Sequence, residues 1–285
     1  MDCPPAPNAA LRPFLLALVL CLSACQQPAT SETAPAAPAA SASAQMPAAL
    51  AAPPPPPAAE RKMDENSDTY EFEYSYPAVA AAIPALRDWL EADLTRMRAE
   101  LAADAREARK DAKAEGFPFN PYMSSTGWQV VTDLPGWLSL SAESYSFTGG
   151  AHGNSGFQTI LWDKTANNGA GQRRTATDLF ASKAALKAAV LKPFCAELDR
   201  QRAEKRQGMD FSDDPDDPYA QCVDPNEQVV ILGSKSRKGF DRIGFLIAPY
   251  NAGPYAEGSY EVTLPISPAV LAAVKPQYRA SFVVP

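Results

Sequence analysis

The stretch from Gln26 to about Lys62 constrains this chain more than any other part of it, because it is dominated by Ala, Pro and Ser and contains the unbroken proline run Pro53 to Pro57. Such a composition lacks the apolar side chains that offset chain entropy, and its prolines favour extended polyproline geometry, so the stretch reads as a spacer. Of the 285 residues, about 220 are left to fold, enough for one large or two small domains with a real core. Ahead of the spacer, Arg12 precedes the apolar run Phe14 to Leu22. That run falls short of the ~20 residues of a membrane span but suits a signal-peptide core. It closes on Leu22-Ser23-Ala24-Cys25, which reads as a bacterial lipoprotein cleavage box. The expectation is removal of residues 1–24 and lipid on Cys25, with a plain secretory cut after Ala24 as the alternative. Gln26 after the lipidated cysteine points to the outer membrane facing the periplasm. Residues 25–63 then form a tether reaching up to roughly 100 Å at ~3.1 Å per residue.

The chain carries 33 Asp and Glu against 26 Lys and Arg, a net charge of -7. This balance argues against nucleic acid as a partner and favours a cationic protein, or it serves only to keep an exported domain soluble. Export also partitions the five cysteines: Cys3 and Cys21 leave with the signal, Cys25 takes the lipid, and Cys195 and Cys222 remain. An oxidising compartment joins that last pair, which would pin the acidic segment Asp213, Asp214, Asp216 and Asp217 against the body. No CxxC spacing or neighbouring histidine supports a metal or catalytic cysteine site, and no cofactor is expected.

The body opens with Tyr70, Phe72, Tyr74 and Tyr76 alternating with Glu71, Glu73 and Ser75, a half-buried strand ended by Pro77. Ile83, Leu86, Leu90, Leu94, Met97 and Leu101 then recur at helical steps, with Pro84 in the first turn and Gly116 ending a solvated tail from Ala102 to Glu115. Trp128 to Thr132, Trp137 to Tyr145 and Phe157 to Trp162 read as an antiparallel meander. Thr177 to Leu198 reads as a second helix capped by Thr177, with Leu186, Val190, Leu191, Phe194 and Leu198 facing inward. Val229 to Leu232, Ile243 to Ala248 and Tyr260 to Pro265 read as strands, and Pro268 to Val274 as a closing helix. Helices and strands come in blocks, which predicts an α+β fold: antiparallel sheet packed by a long N-terminal and a second central helix.

Two loops carry the candidate chemistry. Thr148-Gly149-Gly150-Ala151-His152-Gly153-Asn154 holds the single histidine of the chain among three glycines. The glycines allow positive φ and leave the ring accessible; the same turn equally suits a histidine that only hydrogen-bonds the backbone. The second loop, Ala248 to Gly258, carries Tyr250, Tyr255 and Glu257 on a Pro- and Gly-stiffened turn. Its aromatics suit either a recognition surface or a plug at the end of a sheet.

At these loops the chain resembles the extracytoplasmic domain of unknown function shared by the lysozyme-sensing anti-sigma factor RsiV and by the non-catalytic part of the peptidoglycan deacetylase PdaC. The matching pieces are Tyr145 to Gly153, Thr177-Asp178-Leu179-Phe180 before a helix, Phe245 to Pro265, and the strand end Tyr76-Pro77. They occur in the expected order across most of residues 68–280. The resemblance implies an N-terminal PdaC-like part over 64–175 and a C-terminal RsiV-like part over 176–285, with a seam near 165–180. With no deacetylase domain, sigma-binding segment or transmembrane helix in the sequence, neither deacetylation nor sigma-factor control is expected to carry over. What it implies instead is a lipid-anchored, non-catalytic envelope module that binds peptidoglycan or a lysozyme-like hydrolase through Gly149, Gly150, His152, Tyr250, Tyr255 and Glu257. The alternative is an enzyme on wall glycans that pairs His152 with a carboxylate such as Glu257.

Overall fold

The computed structural model describes residues 58–207 and 218–285. Cys25, the signal, the spacer up to residue 57 and the aspartates Asp213, Asp214, Asp216 and Asp217 lie outside the described residues. The fold is α+β. Strands β1 (Arg61–Asn66) and β2 (Tyr70–Tyr76) form a hairpin, a short helix α1 (Ala78–Ala81) follows, and helix α2 (Pro84–Glu115) crosses to strand β3 (Tyr122–Leu134). Strands β4 (Trp137–Phe147), β5 (Asn154–Asp163) and β6 (Gln172–Arg174) complete a six-stranded sheet in the order β1-β2-β3-β4-β5-β6. Helix α3 (Lys183–Lys205), strands β7 (Val229–Gly233), β8 (Arg242–Ile247) and β9 (Tyr260–Pro265), and helix α4 (Pro268–Ala273) form the rest, with the last three strands in a separate antiparallel sheet.

The larger sheet is mixed where the sequence suggested only antiparallel pairing, because β2 and β3 run parallel. Helix α2 returns the chain to the end it left, and a parallel neighbour is what a helical crossover produces. The helix starts with Pro84 in its first turn and stops at Gly116, whose φ of 77° lies in the left-handed region. Strand β1 was not foreseen; Arg61, Lys62 and Met63 belong to it and pair with Tyr76, Ser75 and Tyr74, so the folded body begins inside the stretch read as tether.

Alternation gives the sheet two working faces. One buries Phe72, Tyr74, Trp128, Leu140 and Ile160 against Leu86, Leu90 and Leu94 of α2. At one end of the opposite face, Leu134, Trp137 and Leu161 join the core around α3, packing with Phe194, Phe245 and Val262. Two expectations for α3 need correcting. Thr177 sits in a separate 3-10 turn (Ala176–Leu179) capped by Thr175, and the helix is capped by Ser182, whose hydroxyl accepts from the Ala185 amide at 3.0 Å. The chain extends between them because Phe180 bridges to Val274. Leu191 does not face inward but is 36% exposed. Cys195 and Cys222 form the expected disulfide, with Cα atoms 5.5 Å apart.

Candidate functional site

The mouth of the β4–β5 hairpin closes with the pair Ser146 and Asn154. Inside it, Gly149 and Gly150 adopt φ of 96° and 91°, a conformation that side chains disfavour. Gly153 is glycine for a different reason: a Cβ there would lie 2.4 Å from the ring carbon and hydroxyl of Tyr145 and 2.5 Å from the Ser146 carbonyl oxygen. The close approach fixes the Gly153 carbonyl, 2.9 Å from His152 Nδ1. A carbonyl can only accept, so Nδ1 holds the proton. In the neutral ring Nε2 is then free to accept from the Tyr250 hydroxyl, 3.2 Å away.

His152 and its partners come from loops some hundred residues apart in sequence. The His152 ring stacks on Tyr255 with centroids 4.0 Å apart and planes 18° from parallel, and Tyr250 lies 5.5 Å from Tyr255. Tyr250 is 47% exposed and has a φ of 70°, which for a bulky residue is strained backbone that must be held by its surroundings. The structure therefore gathers exposed His152 and Tyr250 and half-buried Tyr255 into one surface patch, with Gly149 and Gly150 in the adjoining turn.

Glu257 does not join them. Its carboxylate accepts from Arg206 Nε at 2.7 Å and from the Tyr260 hydroxyl, and the ion-paired side chains are 9% and 13% exposed for Arg206 and Glu257. Burial, reinforced by the bond to Glu257, holds the Tyr260 phenol well above its ordinary range. Among the described residues no hydrogen bond links Glu257 to His152. The His152–Glu257 pairing expected of a glycan enzyme is absent from this geometry, and Glu257 is an anchor beneath the loop.

The rest of the anchoring was not foreseen. Arg202, only 4% exposed, donates to the Ala252 carbonyl at 2.9 Å and to the Gln221 carbonyl beside the disulfide at 3.2 Å. Lys205 donates to the carbonyls of Glu257 and Ser259, both at 2.6 Å, and its ammonium sits over the Tyr260 ring. Burial lowers the Lys205 pKa against the raising influence of Glu257. The available signal was the spacing of Arg202, Lys205 and Arg206, which sets three cations on one face of the last turn of a helix, where carbonyls lack partners. Among the described residues no cluster of His, Cys, Asp or Glu is arranged to hold a metal ion, and no helix is long and apolar enough to cross a membrane.

Residues 63–155, from β1 to the start of β5, match the protein-family model PdaC, described as deacetylase PdaC. The PdaC-type resemblance read from the sequence holds over that span, which includes His152 but not the second loop. A solved DUF3298 family protein from Pseudomonas aeruginosa PAO1 is similar at 20% identity and a TM-score of 0.44, covering 78% of this chain and 96% of that one. A member of the same family from Bacteroides fragilis NCTC 9343 is similar at 18% identity and a TM-score of 0.44, covering 73% of this chain and 90% of that one. No curated protein matches the chain.

Proposed function

We propose that this chain is a non-catalytic binding module of the cell envelope, anchored by lipid on Cys25, whose His152–Tyr250–Tyr255 patch grips a cationic, lysozyme-like wall hydrolase. The observation that carries this reading is the patch itself: three rings brought together from two loops, His152 and Tyr250 exposed and Tyr255 half-buried, on a strained backbone braced from below. Aromatic side chains on rigid loops supply contact area at little cost in conformational entropy, the usual property of interaction hot spots. The net charge of -7 favours encounter with a basic partner. The name of the matching family describes a deacetylase; that activity is not transferred to this chain, whose match covers residues 63–155.

Retention on immobilised cationic lysozyme tests the proposal. The chain is expected to bind at low salt and weaken at moderate salt, and Tyr250→Ala or Tyr255→Ala is expected to weaken binding by about 2 kcal/mol, roughly thirtyfold. Absence of salt-sensitive retention at micromolar protein, or equal retention by both variants, overturns it. Binding to isolated peptidoglycan sacculi instead of the hydrolase redirects the patch to glycan.

A further inference from the structure

The open face of the six-stranded sheet holds a trough of about 390 Å³, on the side opposite α2. Strand register lays its residues out in two rows: Glu73, Ser125 and Tyr145 in one, Ser75, Gly127 and Glu143 in the next. Ser75, Ser125 and Gly127 make a low floor, and a Cβ on Gly127 would come no nearer than 3.8 Å to the Ser75 hydroxyl. Longer side chains stand around it. None of these polar side chains makes a hydrogen bond or ion pair among the described residues. On the α2 side, by contrast, Glu65, Glu91 and Asp93 are each bonded to an arginine or tyrosine.

We infer that this trough is a second recognition site, which takes the arginine or lysine side chains of an extended segment of a cationic protein. Carboxylates only accept hydrogen bonds, and the serine, glutamine and tyrosine groups beside them are free to accept as well, so the lining complements a head group that only donates. Glu73 and Glu143 stand two strands and one row apart, about 12 Å between Cα atoms at ordinary strand spacings, too far to share one metal ion but suited to successive basic side chains. Lys62 is the single cation of the lining, at the outer strand, and the carboxylates repel phosphates and other anions.

The trough adjoins the aromatic patch. Tyr145 lines its end, and the tip of that ring lies under Gly153, next to His152. A basic protein seated on the patch is therefore positioned to lay a side chain across the sheet, and the inference rests on the reading of that partner as cationic protein.

Fluorescence anisotropy of labelled nona-arginine with the full chain tests the trough directly. Glu73→Gln combined with Glu143→Gln removes the charges and keeps the shape; Gly127→Val fills the floor and keeps every charge. Each is expected to weaken binding about tenfold, the loss of one good charge-assisted contact. A control pair, Glu107→Gln with Glu115→Gln on the exposed tail of α2, removes the same charge elsewhere and is expected to stay within about twofold, as screening allows. Equal weakening by the control pair, no weakening by the trough variants, or trough-dependent binding of neutral chitotetraose in place of the peptide overturns the inference. A chain that holds nona-arginine in the trough but not lysozyme on the patch refutes the proposed function and leaves the trough standing; the opposite pattern refutes the trough alone.

Discussion

The core under α2 and the core around α3 solve the same packing problem with different side chains. Under α2, the strand β2 contributes Tyr70, Tyr74 and Tyr76 beside Phe72, and each phenol needs a partner once buried. Tyr74 donates to Asp93 at 3.0 Å and accepts from Trp128 Nε1 at 2.9 Å, and Tyr76 donates to Glu91 at 2.6 Å. Around α3, Phe194, Phe245, Val262 and Leu198 pack with no polar handles, and the disulfide between Cys195 and Cys222 ties the region together. The first core is specified by directional bonds that fix which strand position meets which helix residue. The second relies more on shape and a covalent staple, with directional bonds kept to its margins at Tyr260–Glu257 and Trp137–Ser281, and it carries the cations that brace the loop of Tyr250 and Tyr255.

Removing the staple breaks the comparison most severely. Cys195→Ser with Cys222→Ser is expected to cost about 3 to 4 kcal/mol by the chain-entropy argument. Denaturant melts followed at both cores check it, and a loss under about 1 kcal/mol would mean that apolar packing alone secures the α3 region. Next in size, Tyr74→Phe keeps the ring but strips a partner from Trp128 Nε1 and from Asp93, at an expected cost of about 1 to 3 kcal/mol. Asp93 retains Arg96 at 2.6 Å, which keeps the penalty from the upper end. A variant as stable as the parent would show that the phenol network adds specificity without stability.

The mildest probe is alkaline pH. Burial first, and then the Glu91 carboxylate, push the Tyr76 phenol from 10.0 up to about 12, and burial with Asp93 raises Tyr74 further. A raised phenol pKa favours the neutral, folded-state form, so this stabilisation is complete below pH 10.0 and fades as the pH climbs through about 12. Near-ultraviolet spectra recorded across that window should show the α2 core yielding with tyrosinate formation. Unchanged stability through pH 12 would contradict the network.

Regular periodicity was readable from the chain, and borrowed periodicity was not. Strand β2 and helix α2 announce themselves because Tyr70 to Tyr76 alternates and Leu86, Leu90 and Leu94 repeat at helical steps. Strand β1, Arg61-Lys62-Met63-Asp64-Glu65-Asn66, has almost no apolar residue; it is a strand because β2 offers a free edge and because Arg61 and Glu65 find Glu91 and Arg98 on α2. Thr177 looked like a cap because Ser182, five residues on, lies behind an extended residue whose bridge to Val274 is not visible locally. At the site, the glycines and aromatic rings could be singled out by type. The separation of Glu257 from His152 could not, since it depends on Arg206 arriving from another element. Pro193 also passes through the interior of α3 without ending it, with Phe194 beside it fully buried, so tertiary packing outweighs a local helix breaker there.

The contact between His152 and Tyr250 spans 98 positions of sequence. Neither loop displays the patch alone, so a fragment, a half-finished chain or a molecule with one core collapsed lacks the His152–Tyr250–Tyr255 cluster. Under the proposed function, binding at this patch would be coupled to completion of the fold, and the surface would serve as its own proof of assembly.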